Sequence, residues 1–126
     1  MTDDPAPHRR QRGQLADAFG RMAEESVARD YQARGFTLLE QRWRGAGGEI
    51  DLIFEKDGEL VFVEVKASKT HARAALLLGP KQIARLSASA EDYIGHLPRG
   101  LLTPMRIDVA LVDGAGQVEI LENALM

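Results

Sequence analysis

Glu49-Ile50-Asp51-Leu52-Ile53-Phe54-Glu55-Lys56, then Asp57-Gly58, then Glu59-Leu60-Val61-Phe62-Val63-Glu64-Val65-Lys66: the reading of this run decides the fold. Both flanks are rich in β-branched and aromatic residues, and Asp-Gly between them predicts a two-residue type I′ hairpin. With Asp57 and Gly58 as the turn, Lys56 faces Glu59, Phe54 faces Val61, Leu52 faces Val63 and Ile50 faces Val65. Those apolar residues share one face of the ribbon, which can pack on a core. On the other face Ile53 meets Phe62, Asp51 meets Glu64 and Glu49 meets Lys66. A four-residue turn keeps this alignment, whereas a three-residue bulged turn shifts it by one and destroys it.

Outward from the hairpin, apolar residues at Leu15, Phe19, Met22, Val27 and Tyr31 recur at helical steps, so a helix is expected from Gly13 to Arg34. Phe36–Trp43 reads as a strand, and Arg44–Gly48 as a glycine-rich loop. Residues 67–79 read as irregular. Gly79-Pro80 opens a second helix with proline in its first turn, and Ile83, Leu86, Ala90, Tyr93 and Ile94 form its apolar face. Met105–Val112 and Gln117–Leu121 read as two further strands joined by a turn. The order is α-β-β-β-α-β-β, an α/β domain over residues 13–126 preceded by a flexible tail, residues 1–12.

The chain has 126 residues, enough for one core, and no cysteine, which excludes disulfides and thiolate metal sites. Its longest strictly apolar run, Ala74–Leu78, is far too short to span a bilayer. No apolar signal core follows the first residues. A cytoplasmic protein without a membrane partner is expected. The net charge of −3 is unlike that of a protein whose main work is gripping phosphates. Charge is nevertheless segregated: residues 49–65 carry six carboxylates and one lysine, while residues 66–106 carry seven bases and two acids. An acidic nest beside a basic surface suits a metal-dependent enzyme acting on a polyanion; mixed solvated faces are the plainer account.

Carboxylates directly opposite each other on a sheet repel and want a proton or a cation between them. Mg²⁺ or Mn²⁺ takes hard oxygen ligands and keeps several waters, so Asp51 and Glu64 suffice to hold one. Such an ion lowers the pKa of a coordinated water and offsets charge on the pentavalent transition state of phosphodiester hydrolysis. Lys66 would orient the nucleophile or stabilise the developing charge. The alternative is a solvent-facing ladder in which Lys66 pairs with Glu49 and Asp51 stays hydrated.

Gly48-Glu49-Ile50-Asp51-Leu52-Ile53 followed by Phe62-Val63-Glu64-Val65-Lys66 resembles the PD-(D/E)XK nuclease motif and, more narrowly, the YraN family of small bacterial endonucleases. The likeness covers roughly residues 20–125. It includes Gly20-Arg21-Met22-Ala23-Glu24, Trp43-Arg44, Lys81 with the helix after it, and Arg106-Ile107-Asp108-Val109. The chain departs from the family pattern at Ala23, at Gln41-Arg42 and at Ala67-Ser68, the last removing a basic residue for which Lys69 stands in. The resemblance implies a restriction-endonuclease-like core, a mixed β-sheet flanked by helices. It also implies that Asp51 and Glu64 bind metal, that Lys66 assists catalysis, and that Glu24 reaches in from the first helix as a further catalytic acid and metal ligand.

Helical phase gives Glu24 independent weight: at about 100° per residue it lies about 20° from Tyr31, at the border of the apolar arc. A solvated helix edge is the competing account. Glu49 would support the acidic pair from the second shell of groups around it. For the phosphate backbone, Arg42, Arg44, Lys69 and Arg73 flank the hairpin, and Lys81 and Arg85 share one face at the start of the second helix. Ordinary surface charge is the competing account for each. Trp43 at a strand end reads as packing. The expected activity is hydrolysis of DNA, in preference to RNA, branched or structured substrates included; a double-strand cut would need two sites, which a homodimer supplies. The rival from a different class is a non-catalytic nucleic-acid-binding or adaptor module that keeps the nuclease fold.

Overall fold

Asp57 and Gly58 both take positive φ, 54° and 85°, the geometry of a type I′ turn. The turn joins β2 (Gly48–Lys56) to β3 (Glu59–Ala67), and Lys56 faces Glu59, Phe54 faces Val61 and Leu52 faces Val63, the expected register. The computed structural model describes residues 6–124, with side chains from residue 18 onward. β1 (Thr37–Gly45) pairs antiparallel with β2, its register slipping between Leu38 and Glu40. β4 (Met105–Val112) runs parallel to β3, and β5 (Val118–Leu121) closes the far edge antiparallel to β4. The result is a five-stranded mixed sheet in the order β1-β2-β3-β4-β5.

Helices cover both faces. α1 (Ala6–Ala33) packs Val27 and Tyr31 against Leu52, Phe54, Val61, Val63 and Ala110. α3 (Pro80–Gly95), in the crossover from β3 to β4, packs Leu86, Ala90 and Ile94 against Ile53, Phe62 and Ile107. A strand buried on both faces reads as a continuous apolar run, as Leu60–Val63 does. This is the mixed α/β architecture expected, compatible with a restriction-endonuclease-like core.

Three local features differ from expectation. α1 begins at Ala6 rather than Gly13, so residues 6–12 are helical and only residues 1–5 of the proposed tail lie outside the described residues. Pro7 is compatible with this because a proline in the first helical turn removes an amide that has no intrahelical acceptor. The segment read as irregular contains a short helix, α2 (His71–Ala75), capped by Thr70, whose Oγ1 accepts the Arg73 amide at 3.1 Å. It seats the fully buried Ala74 against Val109 and Leu111. Finally, Ile50 packs with Ile53 and Phe62 on the α3 side, not with Leu52 and Phe54 on the α1 side. Opposite, between Gln41 facing Leu52 and Trp43 facing Ile50, Arg42 takes a left-handed φ of 51°. This left-handed residue lies opposite Asp51, where the alternation of β2 breaks.

A buried polar network ties α1 to the sheet. Asp108 is fully buried. Its carboxylate accepts from Tyr31 Oη at 2.6 Å, from Arg106 Nε at 3.0 Å and Nη2 at 3.2 Å, and from the Asn123 amide at 3.0 Å. Arg106 and Asp108 therefore serve each other and α1. Removing the carboxylate leaves the buried Tyr31 hydroxyl and the Asn123 amide without their acceptor and takes the bidentate partner from the half-buried Arg106, so Asp108→Ala is expected to cost about 2–4 kcal/mol in urea unfolding. Tyr31→Phe, which removes one donor, is expected to cost about 1–2 kcal/mol.

Candidate active site

The β2–β3 ladder stops at Leu52 and Val63. In an unbroken ladder grown from this turn, the next amide of β3, that of Val65, would be accepted by the Ile50 carbonyl. Instead Val65 N–H donates to Asp51 Oδ2 at 2.8 Å. The Asp51 side chain takes the place of the neighbouring strand, and the two strands fork. The expected pairings of Asp51 with Glu64 and Glu49 with Lys66 are thus absent from the ladder. The side chains nevertheless converge on one cavity in the fork, where the hydrogen bonding and charge of Glu64 bear on the Asp51 carboxyl. Glu64 is held from below by β4, where it faces Val109, and is 9% exposed. Lys66 Nζ lies 3.4 Å from Glu64 Oε2.

Glu24, Glu49, Asp51, Glu64 and Lys66 line one cavity of about 490 Å³, walled on the α1 side by Phe19 and Ala23. Glu24 is turned towards β1, where Arg42 Nε lies 3.0 Å from its Oε1. Burial raises its carboxyl above the ordinary range, and the charges of Asp51 and Glu49 push the same way, while Arg42 opposes them. Glu49 is more exposed and lies 3.7 Å from Arg44. Among the described residues, no three His, Asp or Glu side chains are arranged to hold one ion by themselves.

The acidic pair carries an electrostatic mismatch. Burial, then the hydrogen bond and charge of Glu64, push the Asp51 carboxyl up to about 8, against the pull of the Val65 amide and Lys66. Two buried oxygen donors that cannot both carry a full charge near neutral pH fit a hard divalent cation. Asp51 and Glu64 are the residues that could hold such an ion, Mg²⁺ or Mn²⁺, with water completing its shell.

The start of β2 is fixed from the α3 side. Ser89 Oγ accepts the Gly47 amide at 3.0 Å and donates to the Gly48 carbonyl at 2.9 Å, and the Ala46 amide donates to Asp92 Oδ2 at 2.9 Å. A Cβ on Gly47 would meet the Arg85 carbonyl at 2.3 Å. Glycine here allows close approach to α3 as well as a turn. Ser89 and Asp92 escaped the sequence reading because a polar residue at a helical interval signals only a solvated face.

The basic candidates separate. Arg85 lines a second cavity, on the α3 side, with Glu49 and Glu64. Arg44, Lys69, Arg73 and Lys81 are exposed. Arg42 is also exposed, with part of its charge given to Glu24. Trp43 packs edge-on against Tyr93, ring centroids 5.0 Å apart, as a core residue would. Among the described residues no helix is long and apolar enough to cross a membrane.

Fold and site together define a mixed-sheet α/β protein with an anionic cleft at a strand fork. The Uncharacterised protein family UPF0102 matches residues 23–112, and the chain belongs to that family. It is 52% identical to a UPF0102 protein of Roseobacter denitrificans over 126 residues, covering 99% of this chain and 98% of that one. Over 113 residues it is 55% identical to a UPF0102 protein of Ruegeria pomeroyi, covering 90% and 92% of the two chains. A UPF0102 protein of Ruegeria sp. is 53% identical over 125 residues, 98% of this chain and 97% of its own.

The raised Asp51 carboxyl sets a sign for stability against pH. A group whose pKa is higher folded than unfolded stabilises fully below its ordinary 3.8, and that contribution is lost as pH climbs through about 8. Asp51→Asn keeps an acceptor for Val65 and gives Glu64 a permanent donor. In EDTA, wild type is expected to lose thermal stability from pH 5 to pH 9 relative to Asp51→Asn. The variant should lead by about 4 °C or more at pH 9. Parallel melting curves would contradict the shared-proton geometry.

Proposed function

We propose that the protein is a divalent-metal-dependent nuclease that hydrolyses phosphodiester bonds of DNA. The observation that carries this reading is the fork. A break in the β2–β3 ladder leaves Asp51 and Glu64 lining one cavity, with Lys66 Nζ 3.4 Å from Glu64. Asp51 and Glu64 would hold Mg²⁺ or Mn²⁺, which supplies charge compensation and electrophilic activation at the scissile phosphate. Asp51 is oriented by the Val65 amide, and Glu64 by its place in β3 over β4. Lys66 would face the negative charge that develops on phosphate oxygens. Hydrolysis joins one water oxygen to phosphorus and breaks the phosphorus–oxygen bond to one flanking sugar. The water's proton leaves to solvent, and the departing sugar oxygen takes one up.

Glu24 lines the same cavity, and in the proposal it acts there as a further acid while paired with Arg42. Arg44, Lys69, Arg73, Lys81 and Arg85 would meet the phosphate backbone, and a homodimer would supply two cuts. Family membership is consistent with this reading but names no activity.

Titrating Mn²⁺ into wild type should give saturable binding, with Asp51→Ala weakened by at least about tenfold. Plasmid, nicked, forked and four-way-junction DNA incubated with Mn²⁺ should be cut by wild type, and about 100-fold more slowly by Glu64→Ala and Lys66→Ala. Tight metal binding with no cleavage of any of these substrates would favour the adaptor role.

A further inference from the structure

The apolar stripe of α1 runs on past the core. Ala23, Val27 and Tyr31 are buried, whereas Phe19 and Met22 on the same stripe are 39% and 63% exposed. Neither belongs to a buried cluster among the described residues. Together with Ala23, Val112 and the turn at residues 114–116, they line a slot of about 160 Å³. Phe19 and Ala23 also line the cavity of about 490 Å³ that holds Asp51, Glu64 and Lys66. The exposed Leu77 is a further apolar wall of that cavity. Slot and acidic cavity therefore share Phe19 as a common wall.

The two spaces differ in chemistry. The cavity offers carboxylates and an ammonium. The slot offers an aromatic ring, aliphatic carbon and a turn whose amides are spent. Gly114 N–H donates to the Lys69 carbonyl at 3.1 Å, Ala115 N–H to Asp113 Oδ1 at 3.0 Å and Gly116 N–H to the Asp113 carbonyl at 3.0 Å. Ser26 Oγ, also in the lining, accepts from Arg29 at 3.3 Å. The first of these bonds sets the exposed Lys69 at the border of the slot, so cationic residues, Lys66 and Lys69, stand beside both spaces.

A nucleotide has this composition: a phosphate for the charged cavity and a flat ring for the apolar slot. A free phosphate would use none of the apolar wall, and an aliphatic peptide side chain none of the charge. With the turn amides spent, contact with a base is through its π-face, which every base has. Inside a duplex both faces of a base are covered by its neighbours, so only an unstacked base can lie on a protein ring.

We propose that Phe19 determines substrate class: its ring stacks on an unpaired base beside the scissile phosphate and directs the protein to single-stranded DNA or to the unpaired strand of a fork. The proposal rests on the nuclease reading and deepens it.

Phe19→Leu keeps apolar bulk and removes the aromatic face, and Phe19→Trp enlarges that face. Binding of a short fluorescein-labelled single strand and of the duplex of the same sequence is measured by anisotropy in Ca²⁺. Wild type should favour the single strand. Phe19→Leu should weaken single-strand binding by about tenfold and leave duplex binding unchanged, and Phe19→Trp should restore it. A single strand carrying 5-iododeoxyuridine, irradiated on wild type, should crosslink to Phe19, as mapped by mass spectrometry. With Mn²⁺, wild type should cut single-stranded and forked DNA faster than unbroken duplex, and Phe19→Leu should lose about tenfold of that preference. Equal loss on single strand and duplex, or no loss on either, would overturn the slot while wild-type cleavage left the nuclease reading standing. So would a Phe19→Leu variant that loses a wild-type dimer in sedimentation but keeps its strand preference, since the slot would then join two copies of the chain. Wild type that neither binds nor cuts any of these DNAs would overturn the nuclease reading and the proposal with it.

Discussion

One hydrogen bond, from the Val65 amide to the Asp51 carboxylate, holds the site open. A β-ladder propagates because each amide finds the opposite carbonyl. Here a side chain intercepts the amide at 2.8 Å, and the strands part. The consequence is geometric and electrostatic together. The gap admits a cavity between sheet and α1, and the intercepting carboxylate is held beside Glu64, where both cannot comfortably be charged. Without that bond Asp51 would be an ordinary strand residue on a twisted ribbon.

The rest of the molecule fixes the two sides of the fork. β3 is anchored on the parallel strand β4, so Glu64 has little freedom. β2 is anchored on β1 and, through Ser89 and Asp92, on α3. α1 closes the cavity with Phe19 and Ala23 from its middle and is itself pinned near its C-terminal end by Tyr31 to Asp108. The polar network around Asp108 is remote in chemistry from the acidic pair, but it sets where the helix wall stands.

The hairpin was legible because Asp-Gly dictates its own turn and the turn dictates the register. From the register came the expectation that Asp51 and Glu64 neighbour each other, though the ladder ends before them, and from the proline at residue 80 came the start of α3. The flip of Ile50 was not legible: it accompanies a left-handed conformation at Arg42 on the neighbouring strand, a residue type that carries no such preference. The fork itself was hidden for a related reason, since period-two patterning assumes an unbroken ladder. The Glu24–Arg42 pair and the Tyr31–Asp108 bond join positions 18 and 77 residues apart, beyond any local rule.

Direct titration of the Asp51 side-chain carboxyl by carbon-detected NMR, in EDTA and then with excess Mg²⁺, tests the central claim. The geometry predicts an apparent pKa near 8 in EDTA, lowered in Glu64→Gln, where burial still holds it above the ordinary range, and lowered on addition of Mg²⁺. An Asp51 that titrates near 3.8 in wild type, unmoved by either change, would show that the two carboxyls do not share the fork.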